Sequence, residues 1–228
     1  MDGNMVGEVV SDVAQAKSEV KDFQRIKPEK KLSVGEAKSF WNDIFSKEIT
    51  IEQSEIGQEN PHQKVIDGET YYYDDNGDLY RVGNELLPNS QYEINGYTYK
   101  TDEFGRIVSV EGTLHMKNRD GRLPIKDSIE DIGKGDQQEG DDRGHLIGDQ
   151  FDGSNGLENM IPQDANINQN DFKNFENELA KEIKKGKEVQ VTIEPIYERD
   201  SRRPTAIVVT YSINGEESVR VFPNSQEE

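Results

Sequence analysis

The sequence predicts an α+β fold, in which antiparallel β-structure follows a small helical N-terminal region. Apolar residues recur at helical spacing before residue 50, and a hairpin-like segment is repeated near the middle of the chain. A strongly amphipathic helix then lies among β-rich runs in the C-terminal half. The chain has 228 residues, of which 32% are hydrophobic. This is long enough to form one globular domain of ordinary size with accessory segments, or two small domains.

Residues 1–49 form the predicted helical N-terminal region. An apolar stripe that stops before Pro28 predicts the first helix. The second helix opens with Ser33, which is followed three residues later by Glu36 in the pattern of a capping box. Residues 50–64 have no periodic apolar pattern, so we predict that they form a linker.

A near-repeat predicts two β-hairpins of the same design. The segment IDGETYYYDDNGDLYRVGNEL, from Ile66, aligns without gaps on INGYTYKTDEFGRIVSVEGTL, from Ile94. Each copy has two strand-like runs around a turn that contains glycine. We place the first copy in a unit of its own, residues 65–93, and the second at the start of the main domain, residues 94–223.

The rest of the main domain is predicted to contain a long connection, a helix and a group of strands. The chain loses its periodicity after Leu114 and is expected to cross the surface as an irregular connection up to residue 142. Apolar residues at helical spacing predict a helix over residues 168–185, with Gly186 as its stop. β-rich runs follow, and residues 224–228 are expected to be a frayed tail.

The charge and composition exclude several classes of function. A net charge of −19 argues against broad electrostatic attraction to nucleic acid or to an anionic membrane. No run approaches the roughly 20 apolar residues that cross a bilayer, so we expect no membrane span. The absence of cysteine excludes disulfides and zinc sites with thiolate ligands.

Two local basic clusters stand out against the acidic background. They cover residues 181–187 and 199–203, with Lys184 and Arg202 as representative cations. One interpretation is that these clusters contact an anionic substrate. The alternative is a solvated helix end and a solvated hairpin loop.

The segment DDRGHLIGDQFDGSNGLENMIPQDANINQNDFKNFE, residues 141–176, carries the predicted chemistry. Leu146 and Ile147 predict a strand that presents His145, a second short strand is expected to end at Pro162, and Asn168 follows where the helix begins. An imidazole and a carboxamide are therefore predicted to come within reach of each other.

This pair suits the hydrolysis of a phosphodiester. A neutral imidazole can accept a proton from water near neutral pH. A hard cation such as Mg²⁺ keeps most of its waters and needs one or two protein oxygens, which Asn168 can supply. Glu176, two helical turns further on, is expected to orient those waters. The alternatives are a surface histidine, Asn168 as the N-cap of the helix, and Glu176 as a solvated helix residue.

The blocks DRGH, ENMIPQ and NINQNDFKNFE, in this order and spacing, resemble the DNA/RNA non-specific endonucleases of the ββα-metal, or His-Me finger, type over residues 94–223. The resemblance implies a ββα-metal finger within the α+β fold, one Mg²⁺ ion for which Mn²⁺ can substitute, and products with 5′-phosphates. It also implies roles for individual residues. His145 matches the general base and Asn168 the metal ligand. Arg143, Asn159 and Glu176 match further catalytic positions, and Gln163 matches a position that lines the site and contacts the substrate.

Two features of the resemblance are less regular. The family uses an upstream arginine against the scissile phosphate, and both Arg119 and Arg122 are candidates here. In DQFDGSNG, Asp152 stands where the family has a glycine, which would place an extra carboxylate near the substrate path.

The order of segments also resembles the C-terminal toxin portion of polymorphic (LXG) toxins from Gram-positive bacteria, some of which use type VII export. This implies a secreted nuclease that acts on nucleic acid, DNA first and RNA as the open alternative, in the cytoplasm of a target cell. It implies a cognate immunity protein that holds the nuclease inactive in the producer. The alternative from another class is an idle nuclease-like module for adhesion or partner docking. A zinc hydrolase is disfavoured because His62, His115 and His145 lack ligand spacing.

Overall fold

The computed structural model describes residues 62–225, which belong to a single structural unit. The two predicted N-terminal helices and most of the predicted linker lie outside the described residues. Among the described residues, no helix is both long enough and apolar enough to cross a membrane.

Antiparallel strands form three sheets in the described part of the chain. The first sheet has the order β1-β2-β3-β4, with strands Gln63–Ile66, Glu69–Tyr73, Leu79–Val82 and Glu85–Leu86. The second has the order β12-β11-β10-β7-β6-β5, with β5 Gln91–Ile94, β6 Tyr97–Thr101, β7 Ile107–Thr113, β10 Val189–Tyr197, β11 Pro204–Ile213 and β12 Glu216–Pro223. The third pairs β8 Asp141–His145 with β9 Met160–Asp164. Together with the helices below, they confirm the α+β class.

Both copies of the sequence repeat fold as the predicted hairpins. At the turn of each copy, the Oδ1 atom of an aspartate, Asp74 or Asp102, accepts hydrogen bonds from the backbone N–H groups two and four residues further on. An irregularity in strand register precedes each aspartate. The same turn chemistry therefore closes both hairpins, although the copies lie in different sheets.

The first hairpin shares its core with the segment that follows. The rings of Tyr80 and Tyr92 stack with centroids 4.7 Å apart, and the rings of Tyr92 and Tyr99 stack at 5.2 Å. All three tyrosines belong to one buried hydrophobic cluster that also contains Ile161. The domain boundary at residue 94 stays a prediction, and the shared core is a physical link across it.

Helix α2, Lys173–Lys184, follows a π-helical turn, Ile167–Phe172. The helix predicted over residues 168–185 is thus present, with wider turns at its start. The ring of Phe172 packs edge-on against Phe222 at 5.0 Å, and that of Phe175 against Tyr211 at 5.1 Å. These contacts dock the helix on the six-stranded sheet.

A short helix, α1, Ile129–Gly133, lies in the segment that was expected to be irregular. Ser128 and Asp131 form a capping box at its start. Five residues are too few to show an apolar period, which is why periodicity missed this helix.

The boundaries of the β8–β9 pair and the C-terminal tail differ from expectation. Strand β8 ends at His145, before Leu146 and Ile147, and Pro162 lies within β9 opposite Arg143. Proline is tolerated there because a two-stranded sheet consists only of edge strands. Asn224 is buried and not frayed, since its Nδ2 donates to the carbonyls of Pro162 and Pro204.

Candidate active site

His145 is the last residue of β8, and it is 8% exposed. Burial lowers the pKa of His145 to about 4, and the positive charges of Arg122 and Arg143 act in the same direction, against the opposing charge of Asp149. Because this pKa is far below neutrality, the imidazole is uncharged near pH 7. His145 is therefore in the form that can accept a proton.

Asn159 fixes the backbone that follows His145. Its Oδ1 accepts from the N–H of Ile147 at 2.9 Å, and its Nδ2 donates to the Ile147 carbonyl at 2.8 Å. Its backbone carbonyl accepts from the N–H of Leu146 at 2.9 Å. Asn159 is fully buried, and the contacts observed for its side chain are structural, so its catalytic role stays a prediction. The residue supports the loop after His145.

Gln163 was predicted to contact the substrate, but its side chain is fully buried. It packs beneath Gly144, where an added Cβ would lie 2.2 Å from the Gln163 Oε1. Neither polar atom of the Gln163 side chain has a hydrogen-bond partner among the described residues. The Gln163 side chain is thus closed to solvent in this structure, and its substrate contact stays a prediction. The close approach explains why a glycine precedes His145.

Asn168 lies in the π-helical turn, and such turns occur frequently at functional sites. Its Nδ2 donates to Asp142 Oδ2 at 3.0 Å, so the Oδ1 of Asn168 is the atom left to accept. The N-cap alternative is wrong, because Asp164 Oδ1 accepts from the first N–H groups of the helix, those of Asn166 and Ile167.

Glu176 is half-buried on α2 and lies against the loop that follows His145. An added Cβ on Gly148 would be 2.2 Å from Glu176 Oε1, so only glycine permits this approach. Burial raises the pKa of Glu176 to about 7, against the opposing effects of Gln150, Arg122 and the Gly148 backbone. The carboxyl is therefore poised to change its protonation state near neutral pH.

The helical segment contacts the β8 region at points that bracket His145 in sequence. Asn168 binds Asp142, three residues before the histidine, and Glu176 meets Gly148, three residues after it. Asn168 and Glu176 are about 12 Å apart along the helix axis, at roughly 1.5 Å per residue. The helix thus runs alongside the segment that presents the imidazole.

The two candidate arginines are in different situations. Arg119 pairs with Asp149 Oδ1 at 2.7 Å and with Asp152 Oδ1 at 3.2 Å, and Lys117 also pairs with Asp149. Arg122 is exposed and makes no hydrogen bond or ion pair within residues 62–225. Its charge nevertheless acts on both His145 and Glu176. The structure therefore separates a paired arginine from an available one.

The remaining predicted residues near the site have structural partners. Arg143 is exposed on β8, and its Nη1 donates to the Asp127 carbonyl at 3.1 Å. Asp152, at a left-handed φ of 62°, directs its carboxylate to Arg119. The extra carboxylate, at a position where the family has glycine, thus forms an ion pair with Arg119 of the same chain.

The two basic clusters, residues 181–187 and 199–203, are partly paired with carboxylates of the same chain. Lys184 is about 24 Å beyond Asn168 along the helix, at roughly 1.5 Å per residue. Lys185 and Lys187 both pair with Glu182 at 2.5 Å. In the other cluster, the N–H of Arg202 donates to Asp136. The substrate contacts of Lys184 and Arg202 stay predictions.

The cluster of residues 199–203 is also held by a buried ion pair. Arg203 Nε binds Asp141 at 2.7 Å, at the end of β8 opposite His145. Neighbouring carboxylates therefore neutralise part of both clusters, which sequence alone could not show because Asp141 is distant along the chain.

The oxygen donors fit a hard cation better than zinc. Among the described residues, no group of three or more His, Cys, Asp or Glu side chains is placed to hold a metal ion. A zinc site needs three or four such ligands. Mg²⁺ keeps several waters and is satisfied by few protein oxygens, which suits the Asn168 Oδ1 with the Glu176 carboxylate further along the helix.

A neutral base near an arginine that has no ion pair among the described residues suits the hydrolysis of a phosphate ester, and the comparisons with known proteins agree with this class. The family model for DNA/RNA non-specific endonucleases matches residues 88–215, which is more than half of the chain. The chain belongs to this family.

Curated relatives place the match in a longer protein. The type VII secretion system protein EssD of Staphylococcus aureus (strain USA300) is 35% identical over an alignment of 149 residues, which covers 61% of this chain and 24% of EssD. EssD of strain NCTC 8325 / PS 47 matches equally. The chain therefore spans about a quarter of the length of these relatives.

Two solved nucleases are similar in structure. Magnesium-bound NucA from Streptococcus agalactiae has a TM-score of 0.45 and 18% identity, over 71% of this chain and 85% of NucA. The Sda1 nuclease with bound zinc has a TM-score of 0.41 and 20% identity, over 56% of this chain and 75% of Sda1.

Proposed function

We propose that this chain is a Mg²⁺-dependent endonuclease that hydrolyses phosphodiester bonds of DNA, with RNA as a second substrate to be tested. The observation that carries the proposal is the buried, uncharged His145 at the end of β8, with the unpaired Arg122 near it. Membership of the endonuclease family supports the same reaction.

In this proposal His145 accepts a proton from the attacking water. The water oxygen forms a bond to phosphorus, the bond from phosphorus to the 3′-oxygen breaks, and the 3′-oxygen leaves and gains a proton. The products then carry 5′-phosphates and 3′-hydroxyls. The depressed pKa of His145 keeps the base available over a wide range of pH.

We assign the phosphate contact to Arg122 and not to Arg119. The guanidinium of Arg119 already binds the carboxylates of Asp149 and Asp152, so a phosphate would have to displace them. Arg122 makes no such pair within the described residues and acts electrostatically on His145. A free guanidinium can bind two phosphate oxygens at once.

We assign the metal to the Oδ1 of Asn168, with Glu176 orienting its water shell. Asp142 holds the Asn168 amide nitrogen and so fixes which atom accepts. When bound, a divalent ion supplies positive charge that stabilises the pentacoordinate phosphorus and the leaving oxygen. Mn²⁺ has the same preference for oxygen ligands and is expected to substitute.

The biological setting is proposed from the relatives. EssD is a type VII secretion system protein, which supports secretion of the protein that contains this chain. We propose that it acts as a toxin in the cytoplasm of a target cell, and that the producer carries an immunity protein that binds the nuclease. Co-purification of the chain with the product of a neighbouring gene, and loss of cleavage in that complex, would test this partner.

The activity is tested by digestion of plasmid and of structured RNA at neutral pH with Mg²⁺, Mn²⁺ or EDTA. The parent protein is expected to cleave only with a metal, and His145→Ala and Asn168→Ala are expected to lose at least about 100-fold in rate. The products are then labelled at their 5′ ends by a kinase, with and without prior phosphatase treatment. Labelling that requires the phosphatase identifies a 5′-phosphate. Intact plasmid under all conditions would favour the idle binding module.

A further inference from the structure

A buried charge network joins the first hairpin to the active-site region. Arg81, on β3, is 3% exposed, and its guanidinium contacts Asp127 through two nitrogens, at 2.5 and 3.0 Å. Its Nη1 also lies 3.4 Å from Glu158 Oε2. Arg81 precedes the segment that matches the family, residues 88–215, so the family pattern gives it no role.

The two acidic residues that Arg81 binds contact segments before and after His145, Asp127 through both its backbone carbonyl and its carboxylate. Asp127 Oδ2 accepts from the N–H of Leu157 at 2.6 Å, and the Asp127 carbonyl accepts from Arg143, two residues before the histidine. Glu158 bonds to the hydroxyl of Ser154. Leu157 and Glu158 begin the 3₁₀ turn, Leu157–Asn159, that presents Asn159.

Asn159 completes the connection to the histidine. Its side chain bonds to both backbone groups of Ile147, and its carbonyl accepts from Leu146, the residue next to His145. The hydroxyl of Tyr99, in the tyrosine stack that begins at Tyr80, donates to Asn159 Oδ1 at 3.2 Å. Every step from Arg81 to His145 is therefore a direct contact or a neighbouring residue.

We propose that Arg81 is a positioning residue of the nuclease: through Asp127 and Glu158 it sets the 3₁₀ turn and the backbone on which His145 is placed. The first hairpin is then a working part of the active-site scaffold. This inference rests on the proposed function for its effect on turnover.

The geometry favours positioning over simple stabilisation. A buried ion pair often adds little net stability, because desolvation of the charges offsets their attraction. A planar guanidinium that binds a carboxylate through two nitrogens does restrict orientation. Arg81 is restricted further, since its Nε donates to the Gly83 carbonyl at 2.7 Å and its guanidinium lies 4.3 Å from the ring centroid of Tyr72.

The test compares Arg81→Met with Arg106→Met. Arg106 forms a similarly buried pair with Asp102, but its other hydrogen bonds are to the carbonyls of Arg199 and Ser201, and none of them involves Asp127, Glu158 or Asn159. Both variants are expected to lower Tm. At a temperature where both are folded, Arg81→Met is expected to lower kcat roughly 10- to 100-fold with little change in KM.

Arg106→Met is expected to keep kcat within about twofold of the parent, because the hydrogen bonds of Arg106 go to Asp102, Arg199 and Ser201 and not to the acidic residues that hold the 3₁₀ turn. Equal kcat for the two folded variants would overturn the proposal. If Arg81→Met does not fold, Arg81→Lys and Asp127→Asn replace it. Parental kcat in both would overturn the proposal equally.

A second measurement does not depend on cleavage. The ring resonances of His145 are identified in an NMR spectrum by their loss in His145→Ala. They are expected to shift in the Arg81 variant and to stay in place in Arg106→Met. If the parent cleaves nothing but this shift is observed, the proposed function fails while the positioning role stands. An unshifted His145 resonance overturns the positioning role.

Discussion

Asn159 and Ile147 are joined by two hydrogen bonds, one to the backbone N–H of Ile147 at 2.9 Å and one to its carbonyl at 2.8 Å. The Asn159 side-chain amide thus makes the two hydrogen bonds that a neighbouring strand would make to the backbone just after β8. The pairing of β8 with β9 ends at His145, so the backbone two residues further on is held by the Asn159 side chain. The position of His145 therefore depends on these two hydrogen bonds.

Asn159→Ala is expected to lower the free energy of unfolding by about 3 kcal/mol, since several buried polar groups lose their partners at once. It is also expected to reduce kcat more than KM. Chemical denaturation and steady-state kinetics measure the two effects. Asn155→Ala, which removes one exposed bond to the Pro124 carbonyl, is the control and should lie within about 1 kcal/mol of the parent.

Arg122→Ala is expected to raise the pKa of His145, because the arginine charge disfavours the imidazolium. Titration of the His145 ring by NMR in EDTA measures this change, with Lys126→Ala as an exposed control. In the parent, cleavage that depends on neutral His145 should fall as the pH drops through about 4, not through 6.5. A pKa that does not change in Arg122→Ala would place the arginine too far away to contact the same phosphate.

Glu176→Gln is expected to stabilise the protein at pH 8 but much less at pH 5. The pKa of Glu176 is about 7 in the folded state against 4.5 ordinarily, so ionisation favours the unfolded chain as the pH rises between these values. The gain over the parent should grow by about 2 kcal/mol between pH 5 and pH 8 in EDTA. Glu178→Gln, at an exposed site on α2, is the control. A gain that is the same at both pH values would contradict the burial of Glu176.

Gln163→Met is expected to raise the free energy of unfolding by about 1 kcal/mol and to leave kcat and KM close to the parent values. The reason is that an amide without hydrogen-bond partners is replaced by an apolar chain of similar size. Thermal melts and plasmid digestion test both parts. A large loss of activity in a stably folded variant would support Gln163 as a substrate contact.

The local features of the fold were predictable because they depend on neighbouring residues. The hairpin turns at Asp74 and Asp102 follow from short-range hydrogen bonds, and α2 follows from an apolar stripe. Helix α1 and the π-helical turn were not predictable. The first is too short to show a period, and the apolar stripe that predicts the second segment as helix does not record that its first turns are wider.

The site was predictable in its chemistry but not in its electrostatics. The order of DRGH, ENMIPQ and NINQNDFKNFE by itself determined the family and the candidates His145 and Asn168. Only the tertiary structure decided that Arg119 is paired while Arg122 has no ion pair among the described residues, that Gln163 is buried, and that Arg81 binds Asp127. The physical reason is that burial and ion pairing depend on distances between residues far apart in the chain, whereas a motif records only residue types and their spacing.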